Sequence, residues 1–205
     1  MKIITKYIFL LSFFLSSSLI ISSCEPNEDE EIAVPKPRAY LRIDLPKSSY
    51  QLFDSAFPYQ FEYSKLATIE IDREKNAEPY WINIQYPSLG ATIYLSYKRI
   101  NKNLNSYKND AFGFANKHTA KADDIEESNI YDPSVPIFGK IYDIKGVNVA
   151  CPYQFWLSDS TSKFIRGALY FNNKPNNDSL APVIQFVKKD ILHLINTFDW
   201  NKNIK

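Results

Sequence analysis

Glycine is scarce in this chain, at five residues in 205. Loops that cradle phosphate need glycine wherever backbone must approach the ligand. Neither G-x-G-x-x-G nor G-x-x-x-x-G-K-[ST] occurs, which excludes nucleotide sites of those two kinds. Two cysteines cannot make a disulfide framework, two histidines leave no ligand to spare, and neither a metal site nor a cofactor is expected. An excess of either charge is missing as well, since 24 Lys and Arg stand against 23 Asp and Glu. A net charge of +1 provides no global field to draw the protein onto a polyanion, which argues against nucleic-acid binding. The uncharged apolar run Tyr7–Ile21 has 15 residues, short of the ~20 that cross a bilayer. What is present is 45% hydrophobic, 23% charged and 15% aromatic, the mix of a globular chain with one or at most two domains.

Lys2 and Lys6 precede the apolar run, so residues 1–23 have the plan of a signal peptide. The run ends in Ile21-Ser22-Ser23-Cys24, the aliphatic, small, small, Cys order that resembles a bacterial lipobox. That resemblance implies a diacylglycerol on the Cys24 thiol and an acylated amine on a mature chain that begins there. Each buried CH₂ contributes ~0.8 kcal/mol, so several acyl chains make the membrane a stable partner where one would not. The other reading of Cys24 is an incidental thiol after an ordinary signal peptide. Residues 1–23 carry two Lys and no acid, so the remainder sets 22 basic against 23 acidic residues.

Residues 24–37 read as a tether. Glu25–Glu31 holds five acids, one Pro and no apolar side chain, and it cannot bury enough surface to offset its ordering entropy. A surface-export signal and a calcium site are the alternatives for that run. Pro35 and Pro37 stiffen the chain toward polyproline II.

Beyond Arg38 apolar residues recur with period two, the mark of half-buried strands. Leu41 and Ile43 oppose Tyr40, Arg42 and Asp44. Tyr59, Phe61 and Tyr63 alternate with Gln60 and Glu62, and Ile69 and Ile71 with Glu70 and Asp72. Ile82, Ile84 and Tyr86 form the next apolar face, and Ile93, Leu95 and Tyr97 the one after. From Asn103, an N-cap, the spacing of Leu104, Tyr107, Ala111, Phe114, Ala115, His118 and Ala122 predicts a helix to about residue 122. Gly113 inside it costs ~1 kcal/mol relative to Ala. Asp123–Glu127 reads as a solvated stretch. Strands are expected at 137–144, 147–157 and 163–171, the second placing Val149, Cys151, Tyr153, Phe155 and Leu157 on one face. The third carries apolar residues on both faces, as a central strand does. After the turn 172–178, Asp178 or Ser179 caps a helix with Pro182 in its first turn. Its apolar stripe is Leu180, Val183, Ile184, Val187, Ile191, Leu194, Ile195 and Phe198. The fold class is α+β: one domain over 38–205, a mostly antiparallel sheet packed by two helices.

Candidate chemistry is thin. Ser160 or Cys151 as nucleophile with His118 or His193 as base would make an envelope hydrolase. Cys151 reads instead as a small buried hydrophobe, His118 as a core histidine, His193 as solvated and Ser160 as a turn residue without a G-x-S-x-G elbow. Aromatics on both strand faces, at Tyr80-Trp81, Tyr94 and Trp156, hint at a binding module. A carrier of a small hydrophobic ligand between sheet and helix is a third reading.

Five segments together resemble the gliding motility lipoprotein GldD family of the Bacteroidota. They are PKPRAYLRIDLP (35–46), YPSLGATIYLSYK (86–98), KHTAKADDI (117–125), QFWLSDSTSKFIRGALYFNNKPNNDSLAPV (154–183) and DILHLINTFDW (190–200). The chain departs from the family's pattern at Ala39, Tyr80, Cys151 and Lys163, where Gly, Cys, Ser and His are expected. The resemblance implies a lipid-anchored envelope component of gliding, partnered with other gliding and type IX secretion envelope proteins and without enzymatic activity. It also implies a sheet covered by two helices, similar to the photosystem assembly-protein PsbP and Mog1 group.

Overall fold

The computed structural model describes residues 43–132 and 135–201. The expected signal peptide, Cys24, the expected tether and Tyr40–Arg42 of the first expected strand lie outside the described residues. The described chain belongs to one compact unit, Tyr40–Lys205.

Seven strands form the main sheet in the order β3(Thr68–Ile71), β4(Ile82–Tyr86), β5(Ala91–Arg99), β9(Lys163–Phe171), β8(Tyr153–Ser158), β7(Ile137–Lys145) and β6(Asp124–Asp132). Every neighbouring pair is antiparallel. β1(Tyr50–Phe53), β2(Tyr59–Ser64) and β10(Asp199–Trp200) make a second, small sheet. Two helices complete the described fold, α1(Leu104–Asn116) and α2(Asn177–Asn196).

Period-two alternation sorts the side chains of the main sheet onto two faces. Ile82, Ile84, Ile93, Leu95, Phe155, Leu157, Ile165 and Leu169 point to one side, where they meet Val187, Ile191 and Leu194 of α2 and Tyr59 and Phe61 of the small sheet. Tyr142, Ile144, Trp156 and Phe164 point to the other, where Ala111 and Ala115 of α1 cover them. β8 lies under both helices and is buried along its whole length. β9 is the middle strand, as its two apolar faces require.

Several boundaries differ from expectation for local reasons. Ile43 and Asp44 are not in a strand. α1 runs through Gly113 but stops at Asn116, because His118 N–H turns to the Ala115 carbonyl and Thr119 Oγ1 donates to the Asn116 carbonyl at 2.7 Å. The strand expected from 147 begins only at Tyr153. Gly146 has φ +144°, and Pro152 has no N–H to give a ladder, so the chain between them is a loop. Val149 and Cys151 are nevertheless buried, since Asn177 Nδ2 donates to the Gly146 and Val149 carbonyls and pins that loop to α2. The stretch at 123–127 is solvated as expected, with its acids exposed, but from Asp124 it is the start of edge strand β6 and not a link between helix and strand. Its acids pair with the lysines of β7, Glu127 with Lys140 at 2.5 Å and Asp124 and Glu126 with Lys145. α2 is flanked by Asn176 and not capped by Asp178 or Ser179, so Pro182 falls past its first turn.

Candidate interaction surface

The residues of the proposed triad stay apart. Ser160 sits at φ +68° in the β8–β9 turn, and its Oγ donates to the Asp159 carbonyl at 2.6 Å. Ile100 N–H donates to the Ser162 carbonyl, which places the start of α1 beside that turn. His118 lies beyond the other end of α1, roughly 20 Å along the helix axis. Burial first, then Arg166 and Lys121, lower the His118 pKa. Cys151 is fully buried, and burial pushes its thiol up to about 12 against the pull of Arg166, opposite to what a nucleophile needs. His193 is engaged rather than simply solvated: its Nε2 lies 2.7 Å from Glu62 Oε2 and its ring stacks on Tyr50 at 3.5 Å.

The residue that organises the β8–β9 turn is Asp159. Its Oδ1 accepts from the N–H groups of Thr161, Ser162 and Lys163, and Ser162 Oγ donates to its Oδ2 at 2.6 Å. Burial raises the Asp159 pKa, but these donors outweigh it and hold the carboxyl below its usual range. A depressed pKa gives stability that is present above the unfolded carboxylate value and lost as pH falls through the folded one. Asp159→Ala is therefore expected to cost ~1–3 kcal/mol at neutral pH and to flatten the acid limb of a melting-temperature profile. An acid limb identical to that of the wild type would refute this role.

On the sheet face that carries α1, the helix and the exposed sides of β5 and β9 enclose an open groove of about 430 Å³. Trp81, Tyr107, Ala111, Phe114 and Phe164 form its apolar lining, with Ser96, Lys98, Asp110 and Arg166 between them. The walls are fixed in place. Trp81 Nε1 donates to the Tyr97 carbonyl at 2.8 Å, and Tyr107 lies 5.4 Å from Phe164, which stacks on Trp156 at 5.7 Å. Lys98 is paired with Glu78. Arg166 donates through Nη2 to Gln154, and its guanidinium lies 4.6 Å from the Phe114 ring centroid. Burial lowers its pKa, with Cys151 and Tyr170 acting against that. Beyond Arg166 along β9, the half-exposed ring of Tyr170 meets Tyr94 edge-on at 5.7 Å.

Of the aromatics singled out in the sequence, Trp81 is thus a groove wall, Tyr94 is surface, Trp156 is core under α1 and Tyr80 packs on Phe57 and Tyr97. Arg166 was not foreseen. A charged residue at an inward position of a strand flanked by Ala168 and Phe164 was the signal available. Among the described residues no group of three or more His, Cys, Asp or Glu is arranged to hold a metal. Nor is any described helix long and apolar enough to cross a membrane.

The fold and groove define an α+β domain with an organised surface groove, in which Ser160 and His118 stand apart. A family described as Gliding motility lipoprotein GldD matches residues 30–200, and the chain belongs to that family. Membership makes it a lipoprotein of a gliding motility system, held at the cell envelope by its lipid. No curated protein matches the chain. Among solved structures it is similar to cyanobacterial PsbP (CyanoP) from Synechocystis sp. PCC 6803 in solution. That likeness has 11% identity and a TM-score of 0.47, and covers 77% of this chain and 95% of the other.

Proposed function

We propose that this protein is a non-catalytic envelope component, anchored by acyl chains on Cys24, whose folded domain holds or stabilises other parts of the gliding and type IX secretion machinery. The observation that carries the reading is the family match across residues 30–200. The aliphatic, small, small, Cys order at Ile21–Cys24 supports the anchor, and the separation of Ser160 from His118 speaks for binding over turnover. The anchor sits in the outer membrane of a Bacteroidota cell, with the domain facing the periplasm.

The test is an in-frame deletion in the native host, complemented with wild type or Cys24→Ala and scored for single-cell gliding and release of a type IX cargo. Loss of both functions, rescued by wild type alone, is expected. The Cys24→Ala protein should also lose its lipid label and leave the membrane fraction. Gliding and secretion that survive the deletion, or a variant that keeps its label, would overturn the assignment.

A further inference from the structure

The groove under α1 has an imbalance of charge and of hydrogen-bonding groups. Arg166 forms no ion pair among the described residues, whereas Lys98 beside it is neutralised by Glu78 and Asp110 borders the groove without reaching Arg166. Withdrawing a guanidinium from water is costly, and the Phe114 face and one bond to Gln154 offset only part of that. Its Nε is buried with no acceptor. Two neighbours share that state: Gln154 Nε2 and the indole Nε1 of Trp156, the cross-strand partner of Arg166, are also buried without acceptors. Three of the five stranded side-chain atoms are therefore donors on adjacent positions of β8 and β9, all on the face that α1 covers. Native interiors rarely leave such groups unmatched.

We propose that this groove binds a small monocarboxylate carried on an apolar body. The carboxylate is taken by Arg166, and the body lies between Trp81, Tyr107, Phe114 and Phe164. Of the three donor residues Arg166 alone lines the groove, and a carboxylate, being acceptor-only, matches the fork of its guanidinium. A volume of about 430 Å³ with mostly apolar walls is that of a small-molecule site. Among the groove-lining residues Arg166 is the one cation without an ion pair, and with Asp110 at the rim a monoanion matches it. This goes beyond the anchoring role and does not depend on it.

The experiment uses the acylated full chain in lipid nanodiscs, labelled with ¹⁵N-arginine and titrated with 3-phenylpropionate. The Nε–Hε signal of Arg166 is identified by its absence from Arg166→Gln. A saturable shift of that signal is expected, with 3-phenylpropanamide binding roughly tenfold or more weakly because only the acid pairs with the guanidinium. Asp110→Asn, an exposed change that leaves the core alone, should tighten binding of the acid by roughly threefold. It keeps the test open if Arg166→Gln does not fold, the signal then being the one that saturates. No saturable shift at millimolar probe, or equal affinity for acid and amide, overturns the proposal.

Discussion

Gly139→Ala is expected to cost about 3 kcal/mol of stability, near the upper end for overpacking a close-packed interior. Gly139 lies in β7, opposite Leu157 of β8 and Ile130 of β6. A Cβ built there would stand 2.1 Å from the Trp156 carbonyl oxygen and 3.0 Å from Leu157 Cδ2. The first of these is backbone held in a ladder, so it cannot swing aside as a side chain would, and β7 and β8 must separate locally. Gly113→Ala provides the contrast. Nothing lies within 4 Å of its Cβ position on α1, and relief of glycine's helix penalty should add roughly 0.5–1 kcal/mol. Urea unfolding of both variants measures the two effects. A midpoint for Gly139→Ala equal to wild type would mean that β7 and β8 do not meet in this register.

Asp190→Ala is expected to lower stability by about 3 kcal/mol, through loss of the polar tie between α2 and the two sheets. Asp190 is 2% exposed and accepts from Tyr50 Oη at 3.0 Å and Tyr86 Oη at 3.3 Å. Those hydroxyls come from β1 of the small sheet and β4 of the main one, so one carboxylate fixes the helix against both. Burial first, then Asp190, holds the Tyr86 hydroxyl protonated far above the ordinary phenol range, so it remains a donor at every physiological pH. Removing the acceptor strands that buried donor, whereas Asp190→Asn keeps one oxygen and should cost about half as much. A double-mutant cycle with Tyr86→Phe should return a coupling of about 1 kcal/mol or more. Strict additivity would show that the two groups do not interact in solution.

Elements whose signal is local were legible in the sequence. β2, β4 and β5 announce themselves by alternation, because one face of each is buried and the other is not. α2 shows its apolar stripe because one side of it covers the sheet. β6 was illegible for the opposite reason: as an edge strand it carries charge at Asp124, Glu126 and Glu127, and its stability comes from pairing with β7 and from the lysines opposite. β1 is four residues long, too short for a periodic pattern to stand out. The end of α1 was overestimated because Ala122 continues the helical spacing while the chain has already tightened at Asn116. Its side chain packs under α1 all the same, so the spacing recorded burial correctly and misassigned the backbone that achieves it.

The candidate site divides along the same line. The lipidation signal proposed at Ile21–Cys24 can be read without a fold, since such a signal is a linear string, and the family is recognisable from segments in order. Nothing linear joins Trp81, Lys98, Tyr107, Phe114 and Arg166, which come from four different parts of the chain and meet only when β9 is laid beside β5 and α1 crosses above them. By itself the sequence determined the class of domain and the family, and it carries the lipidation signal proposed at Cys24, because hydrophobic period and short motifs are properties of neighbouring residues. Only the tertiary structure decided that Ser160 and His118 stand at opposite ends of α1, that Asp190 ties helix to sheets, and that Arg166 is a half-buried cation without an ion pair among the described residues. Each of those depends on which distant side chains exclude water from one another.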